Sequence, residues 1–328
     1  MTSSIRRLPP SLAVLLAVAL TAAGCGTKSQ PTAPVGDTDG VDLLVYRSDR
    51  TSAGNYDVWM YDLNEAGFRA LPNLNSAADE SEPCLSNDGV LVAFSSDRAG
   101  GAGGSDLYVY DRGGMSLAAT PGLNTAANES WPRFAYDSVN LAFVRDSAGF
   151  GRVRLYTPNG DSLLGLPGLS TGGPRTDGAP APDFHGDRIA FQSDRAGNWD
   201  VFVWNRPGGI ATLPDLASSG SDLEPSLSSN GRWLAFASDR AGGAGGYDVY
   251  LYDLQSSTFV ALNGLNTAGD ERHPAVNLSG DVLFFQARAT PSDHWGLWQY
   301  VVPTHTLTQP AGLSGADADK MEPYARVR

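Results

Sequence analysis

An all-β ring of six four-stranded antiparallel blades is the fold class that the sequence predicts, on three observations. One short motif returns six times at near-constant spacing. No stretch beyond the first forty residues keeps a helical period. The repeating region begins and ends with complementary parts of one repeat. Together these describe a six-bladed β-propeller over residues 41–328, closed by pairing the C-terminal strand with the N-terminal strands.

Ser48-Asp49-Arg50 returns as Ser96-Asp97-Arg98, Ser193-Asp194-Arg195 and Ser238-Asp239-Arg240, with degenerate forms at Arg145-Asp146-Ser147 and Ala287-Arg288-Ala289. A proline opens each unit: Pro83, Pro132, Pro182, Pro225, Pro274 and Pro323. These anchors span 240 residues over five intervals, a mean period of 48. In the unit opened by Pro225, residues 224–227 start an inner strand and Ser229-Asn230-Gly231 makes a tight turn. Residues 232–237 form a buried second strand. Residues 247–252 alternate aromatics with period two as a third, and 259–262 make a weaker outer strand.

The chain closes with residues 322–328, which read as an inner strand alone. After the first forty residues it opens with 41–46, which read as a second strand alone. Joined in one sheet, the two seal the ring and leave no edge to aggregate. The pattern E-P-x-x-S-x-(D/N)-G, an apolar run, S-D-R, a Gly-rich loop and D-V-Y-x-Y-D resembles the WD-like repeat of the TolB propeller. That resemblance covers about 41–328. It implies a module that binds a protein partner at the cell envelope and catalyses nothing. TolB carries an α/β domain before its propeller, a place taken here by a tether.

Arg6 and Arg7 precede an apolar run of about a dozen residues ending at Ala23. This reads as a signal peptide over 1–24, too short for the roughly 20 residues of a spanning helix. Ala22-Ala23-Gly24-Cys25 resembles the bacterial lipobox, which implies a diacylglycerol on Cys25 and an attachment to the membrane. Residues 25–40, rich in Thr, Ser, Gln, Pro and Gly, read as a flexible tether. Gly26 in place of Asp implies, by the same resemblance, the outer membrane of a diderm cell. Cys25 and Cys84 are the only cysteines, so no disulfide is expected and Cys84 reads as a small buried hydrophobe.

The net charge of −13 disfavours nucleic acid and anionic membrane surfaces as partners. A closed ring of this kind is expected to be monomeric. Repetition of Ser-Asp-Arg marks a structural device, a turn carboxylate with an arginine pairing to an adjacent blade. His185, His273, His294 and His305 form no metal-binding spacing, and no G-x-S-x-G elbow presents a serine. The loops 99–104 and 241–246 lack the Gly-Lys-Ser/Thr of a phosphate cradle and read as wide turns. No catalytic residue and no bound metal or cofactor is predicted.

Binding candidates stand immediately before the prolines: Glu82, Trp131, Ala181, Glu224, His273 and Glu322, with Asp79, Asp270 and Asp319 nearby. Inner strands start beside the central channel, so these residues are expected to form an acidic rim at one mouth, where propellers gather side chains from several blades. Such a rim would also offer oxygen ligands to Ca²⁺. The alternative is an envelope enzyme or glycan-binding module acting on a polysaccharide or peptide in the channel. His273 is its foothold, or Trp131, Trp199 and Trp295 its stacking platforms.

Overall fold

The computed structural model describes residues 42–52, 54–157, 162–170, 173–313 and 319–326. The segments that read as a signal peptide and a tether, with Cys25 between them, lie outside the described residues. Six antiparallel sheets form, with inner strands Glu80–Leu85, Glu129–Phe134, Asp177–Pro182, Asp222–Leu227, Asp270–Val276 and Lys320–Arg326. Each inner strand packs against the next, and Lys320–Arg326 packs against both Asp270–Val276 and Glu80–Leu85, which closes the ring.

Blade 1 is the closing sheet, in which Lys320–Arg326 joins Leu43–Ser52, Asn55–Asp62 and Gly67–Arg69. Leu44 sits opposite Ala325 and Val45 opposite Tyr324, so the two partial repeats complete one blade as the sequence predicts. Blades 2 to 6 follow in chain order.

The second strands read as unbroken apolar runs because both faces of each blade are covered. In blade 5, Leu234 and Phe236 face blade 4 among Ala190, Val201 and Val203. Ala235 faces the other way, towards Leu283 and Phe285 of blade 6. Each such phenylalanine, fully buried, contributes about 1.5–3 kcal/mol.

Third-strand aromatics latch the linker that enters their own blade. Tyr110 donates to the Pro72 carbonyl (2.7 Å), Tyr156 to Pro121 (3.0 Å), Trp204 to Pro167 (2.8 Å) and Tyr252 to Pro214 (2.9 Å). The glycine-rich loops are pressed onto the next blade's linker. A Cβ on Gly103 would lie 2.1 Å from the Ala127 carbonyl, and one on Gly245 2.2 Å from that of Gly269.

Three expectations are corrected. Blade 4 has three strands, Asp177–Pro182, Arg188–Ser193 and Asp200–Asn205, with its fourth reduced to a single bridge between Trp204 and Ile210. Pro207 has no N–H to donate there, and the glycines after it bring no side chain to pack. The opening proline of that blade is Pro180 rather than Pro182, so Ala179 takes the place expected of Ala181.

The triplet arginine pairs within its own blade, not with a neighbour: Arg98 with Glu80 (2.8 Å), Arg195 with Asp177 (2.6 Å), Arg240 with Asp222 (2.9 Å). Its planar head lies over rings of the second and third strands of its own sheet, which fixes where it reaches. A second bond goes to the linker carbonyl of Leu74, Leu169 or Leu216 (2.7–2.8 Å).

Candidate functional site: the central channel

Each inner strand carries one residue with a left-handed φ immediately before its proline: Glu322 (54°), Glu82 (55°), Trp131 (55°), Ala179 (43°), Glu224 (56°) and His273 (48°). The ladder slips at that point in all six sheets, a bulge that turns one backbone N–H out of its strand pairing. The conformation costs a residue with a Cβ about 1–3 kcal/mol. In five of the six blades it is held because the freed N–H finds an acceptor in the preceding blade.

The Glu82 N–H donates to Glu322 Oε2 (2.6 Å), that of Trp131 to Glu82 Oε2 (2.6 Å), and that of His273 to Glu224 Oε2 (2.7 Å). Where the preceding blade has no glutamate at the bulge, a glutamine of its second strand substitutes. Gln192 Oε1 accepts the Glu224 N–H (2.8 Å), and Gln286 Oε1 accepts that of Glu322 (2.7 Å). A one-way relay of hydrogen bonds thus circles the channel. It has a single gap: blade 3 offers Trp131 and Val144 at the two positions, and no side chain among the described residues accepts the Ala179 N–H.

Blades 3 and 6 face one another across the ring, and their bulge residues meet. The rings of Trp131 and His273 stack with centroids 5.9 Å apart and planes at 11°. His273 Nε2 lies 3.1 Å from Glu224 Oε1. Burial holds the imidazole below its usual pKa, against the pull of the Glu224 and Glu322 carboxylates. Glu82 is pushed up to about 7, first by burial and then by Glu322. Arg47 pairs with Glu322 (3.1 Å) and Arg272 with Glu224, so two of the three glutamates are matched by cations.

What space remains beside the stack is a cavity of ≈ 30 Å³, room for about two waters. Deeper in, Arg133 lies over the Tyr324 ring (5.6 Å). The Tyr136 hydroxyl faces the Leu227 carbonyl (3.5 Å), and burial pushes its pKa up to about 12.

Glu82, Trp131, Glu224, His273 and Glu322 therefore converge, but in the channel wall rather than on an open acidic rim; Glu224 and Glu322 are buried. Asp79, Asp270 and Asp319 stand apart. Each accepts a backbone N–H from the preceding blade, of Tyr56 (2.9 Å), Tyr247 (3.2 Å) and Trp295 (2.9 Å), and so ties blade to blade. Among the described residues, no group of three or more His, Cys, Asp or Glu is placed to hold a metal.

No family model matches the sequence, and no curated protein does. Solved structures match in fold. TolB from Acinetobacter baumannii aligns at a TM-score of 0.69 and 18% identity, covering 89% of this chain and 68% of that one. The fold is TolB-like. A putative TolB from Agrobacterium tumefaciens gives 0.56 at 16% identity, covering 82% and 87%. An oligogalacturonate lyase in complex with manganese gives 0.53 at 14%, covering 83% and 74%, so a similar fold also occurs in an enzyme.

Sequence reasoning missed Gln192 and Gln286, which complete the relay of this TolB-like ring. Each ends an apolar run, Ile189-Ala190-Phe191 and Leu283-Phe284-Phe285, at a channel-facing register position opposite Gly178 and Arg272. They stand in two of the three blades whose bulge residue is not glutamate. Aligning the repeats on Pro180 exposes that complementarity.

Proposed function

We propose that the protein is a non-catalytic envelope lipoprotein, anchored through Cys25, whose TolB-like propeller binds a protein partner at the mouth of its channel. The plug carries this reading. A cavity of ≈ 30 Å³ is far below the roughly 300 Å³ at which small-ligand sites begin. Glu82, Glu224 and Glu322 are already committed to the bonds that hold the ring.

Recognition is then left to the mouth around the plug, which offers Ser81, Leu223, Arg272 and Met321. There Arg47 lies over the Tyr56 ring (4.8 Å) and Arg272 over that of Tyr247 (4.5 Å). Arginine and tyrosine are enriched in protein interfaces. The apolar run before Cys25 and the polar stretch after it support export and tethering at the cell envelope. Among the described residues no helix is long and apolar enough to cross a membrane.

A photo-crosslinker at Leu223, at the mouth, should capture one partner in intact cells, whereas one at Ser256, on an outer hairpin, should not. Equal capture from both positions, or none from Leu223, would sink the reading. Palmitate labelling that survives Cys25→Ser would remove the anchor.

One observation favours an enzyme or glycan-binding module instead: a histidine 3.1 Å from a carboxylate in a fold similar to that of a lyase. That reading requires His273→Gln to abolish turnover of a polysaccharide or peptide while leaving partner capture intact.

A further inference from the structure

Five blades open with a buried acid: Glu80, Glu129, Asp177, Asp222 and Glu271. Four of these acids hold an arginine. What is constant is the place of the guanidinium rather than its position in the chain. Arg145 stands two residues earlier than Arg98 in the repeat, yet reaches the same two acceptors, Glu129 (2.7 Å) and the Leu123 carbonyl (2.7 Å).

Blade 6 keeps the seat and lacks the occupant. Phe285 pairs with Trp298 as Phe94 pairs with Tyr108, so both aromatic walls are present. By the same register, Ala287 and Ala289 stand where blade 2 has Ser96 and Arg98. Arg288 turns aside, to Asp270 (3.0 Å) and the face of Trp295 (4.3 Å). Glu271 is 1% exposed, and among the described residues its carboxylate receives only Thr267, through its N–H (3.1 Å) and hydroxyl (2.5 Å). Among the described residues it has no ion pair, and burial raises its pKa. The outcome is a cavity of ≈ 570 Å³, lined by Leu265, Glu271, Phe285, Ala289 and Trp298, with Arg288, Asp293 and His294 also on its wall, within the roughly 300–1,000 Å³ of small-ligand sites.

We propose that this cavity receives a guanidinium group in trans, the side chain of an arginine on a protein partner. The chemistry is that of the four occupied seats. A carboxylate faces the fork of N–H donors, aromatic rings take its flat face, and the linker runs alongside with the Leu265 carbonyl. In blades 2 and 5 the guanidinium carbon lies 4.7–5.1 Å from those ring centroids. An ammonium lacks both the fork and the flat face, and a neutral urea lacks the charge that offsets a buried carboxylate. The protein's net charge of −13 favours a cationic visitor. The seat lies in the body of blade 6, away from the channel plug, and does not depend on the mouth being a binding surface.

Calorimetric titration of the full chain with Nα-acetyl-arginine methylamide tests it, beside the blocked citrulline and lysine analogues and free arginine. Blocked arginine should bind, with the citrulline analogue at least about tenfold weaker. Ala289→Arg fills the seat from within, so it should abolish binding and raise Tm. Glu271→Gln should lose binding while its circular dichroism stays unchanged. Citrulline binding as well as arginine, unchanged binding in Ala289→Arg, a lower Tm in that variant, or no heat at tens of millimolar would each overturn the proposal. Free arginine binding where the blocked form does not would assign the cavity to a small metabolite and overturn the partner arginine. Substitutions at the mouth should leave this binding unchanged, so the two readings fail separately.

Discussion

Arg240→Ala tests the device that holds each blade shut. Asp222 is fully buried and Arg240 nearly so, their side chains 0% and 13% exposed. One carboxylate oxygen receives Arg240 (2.9 Å) and the Ser238 hydroxyl (2.5 Å), and the other has no hydrogen-bond partner among the described residues. Removing the arginine leaves a buried charge uncompensated, which costs about 3–5 kcal/mol. The cation–π contact with Phe236, Tyr250 and Phe259 and the bond to the Leu216 carbonyl are lost with it. These losses overlap, so the net expectation is about 4 kcal/mol, or a fall in Tm of roughly 7 °C for a domain of this size. Calorimetry and guanidinium unfolding of Arg240→Ala, Asp222→Asn and the double variant give the cycle. The double variant should be less damaged than the sum of the singles by about 2 kcal/mol, because the unmatched charge is gone. A loss under about 1 kcal/mol in Arg240→Ala, or strict additivity, would refute the reasoning.

Three further outcomes are expected. Deleting residues 320–326 leaves Leu43–Ser52 an open edge and should abolish cooperative unfolding; a melt as sharp as the parent's would show that the ring does not close there. Glu82 has its folded pKa raised from 4.5 to about 7, so the folded state favours the neutral form, and the stability from this group is full below about pH 4.5 and lost as pH rises through 7. Discounted for the water that reaches this half-buried carboxyl, the loss is on the order of 2 kcal/mol. Melting from pH 5 to 8 should therefore be flatter in Glu82→Gln, which keeps an acceptor for the Trp131 N–H as Gln192 does for Glu224. The Cys84 thiol, pushed up to about 11 by burial, should resist a maleimide at pH 8 in a Cys25→Ser background until the protein is unfolded; labelling of the native protein would contradict its burial.

The ring was legible because its determinants repeat. Six prolines, the Ser-Asp-Arg triplets and the complementary ends each carry a period that chance does not sustain. Blade 4 was misread by two residues because Ala179-Pro180-Ala181-Pro182 offers two equal candidates. Only the slip of the ladder, set by pairing with the second strand, chooses between them. Its missing outer strand was hidden for a related reason: outer strands are short and half-exposed, so they carry little pattern. Convergence of the residues before the prolines followed from the repeat. Their embedding in the wall did not, since it depends on a backbone bulge and on Gln192 and Gln286 some tens of residues away. The seat in blade 6 was visible as Ala287-Arg288-Ala289, yet it reads as mere degeneracy until the position of the other arginines is known.

The pairing of Leu43 with Arg326 has a consequence for orientation. Inner strands run from the channel mouth to the far side, and second strands return, so Leu43 starts at the far side. The described chain thus enters on the face opposite Ser81, Leu223 and Arg272. With Trp131 and His273 stacked across the bore, the two faces of the described ring are separated rather than joined by an open channel. A leash fixed at its N-terminal side would turn one side towards the surface that holds it and display the other outward.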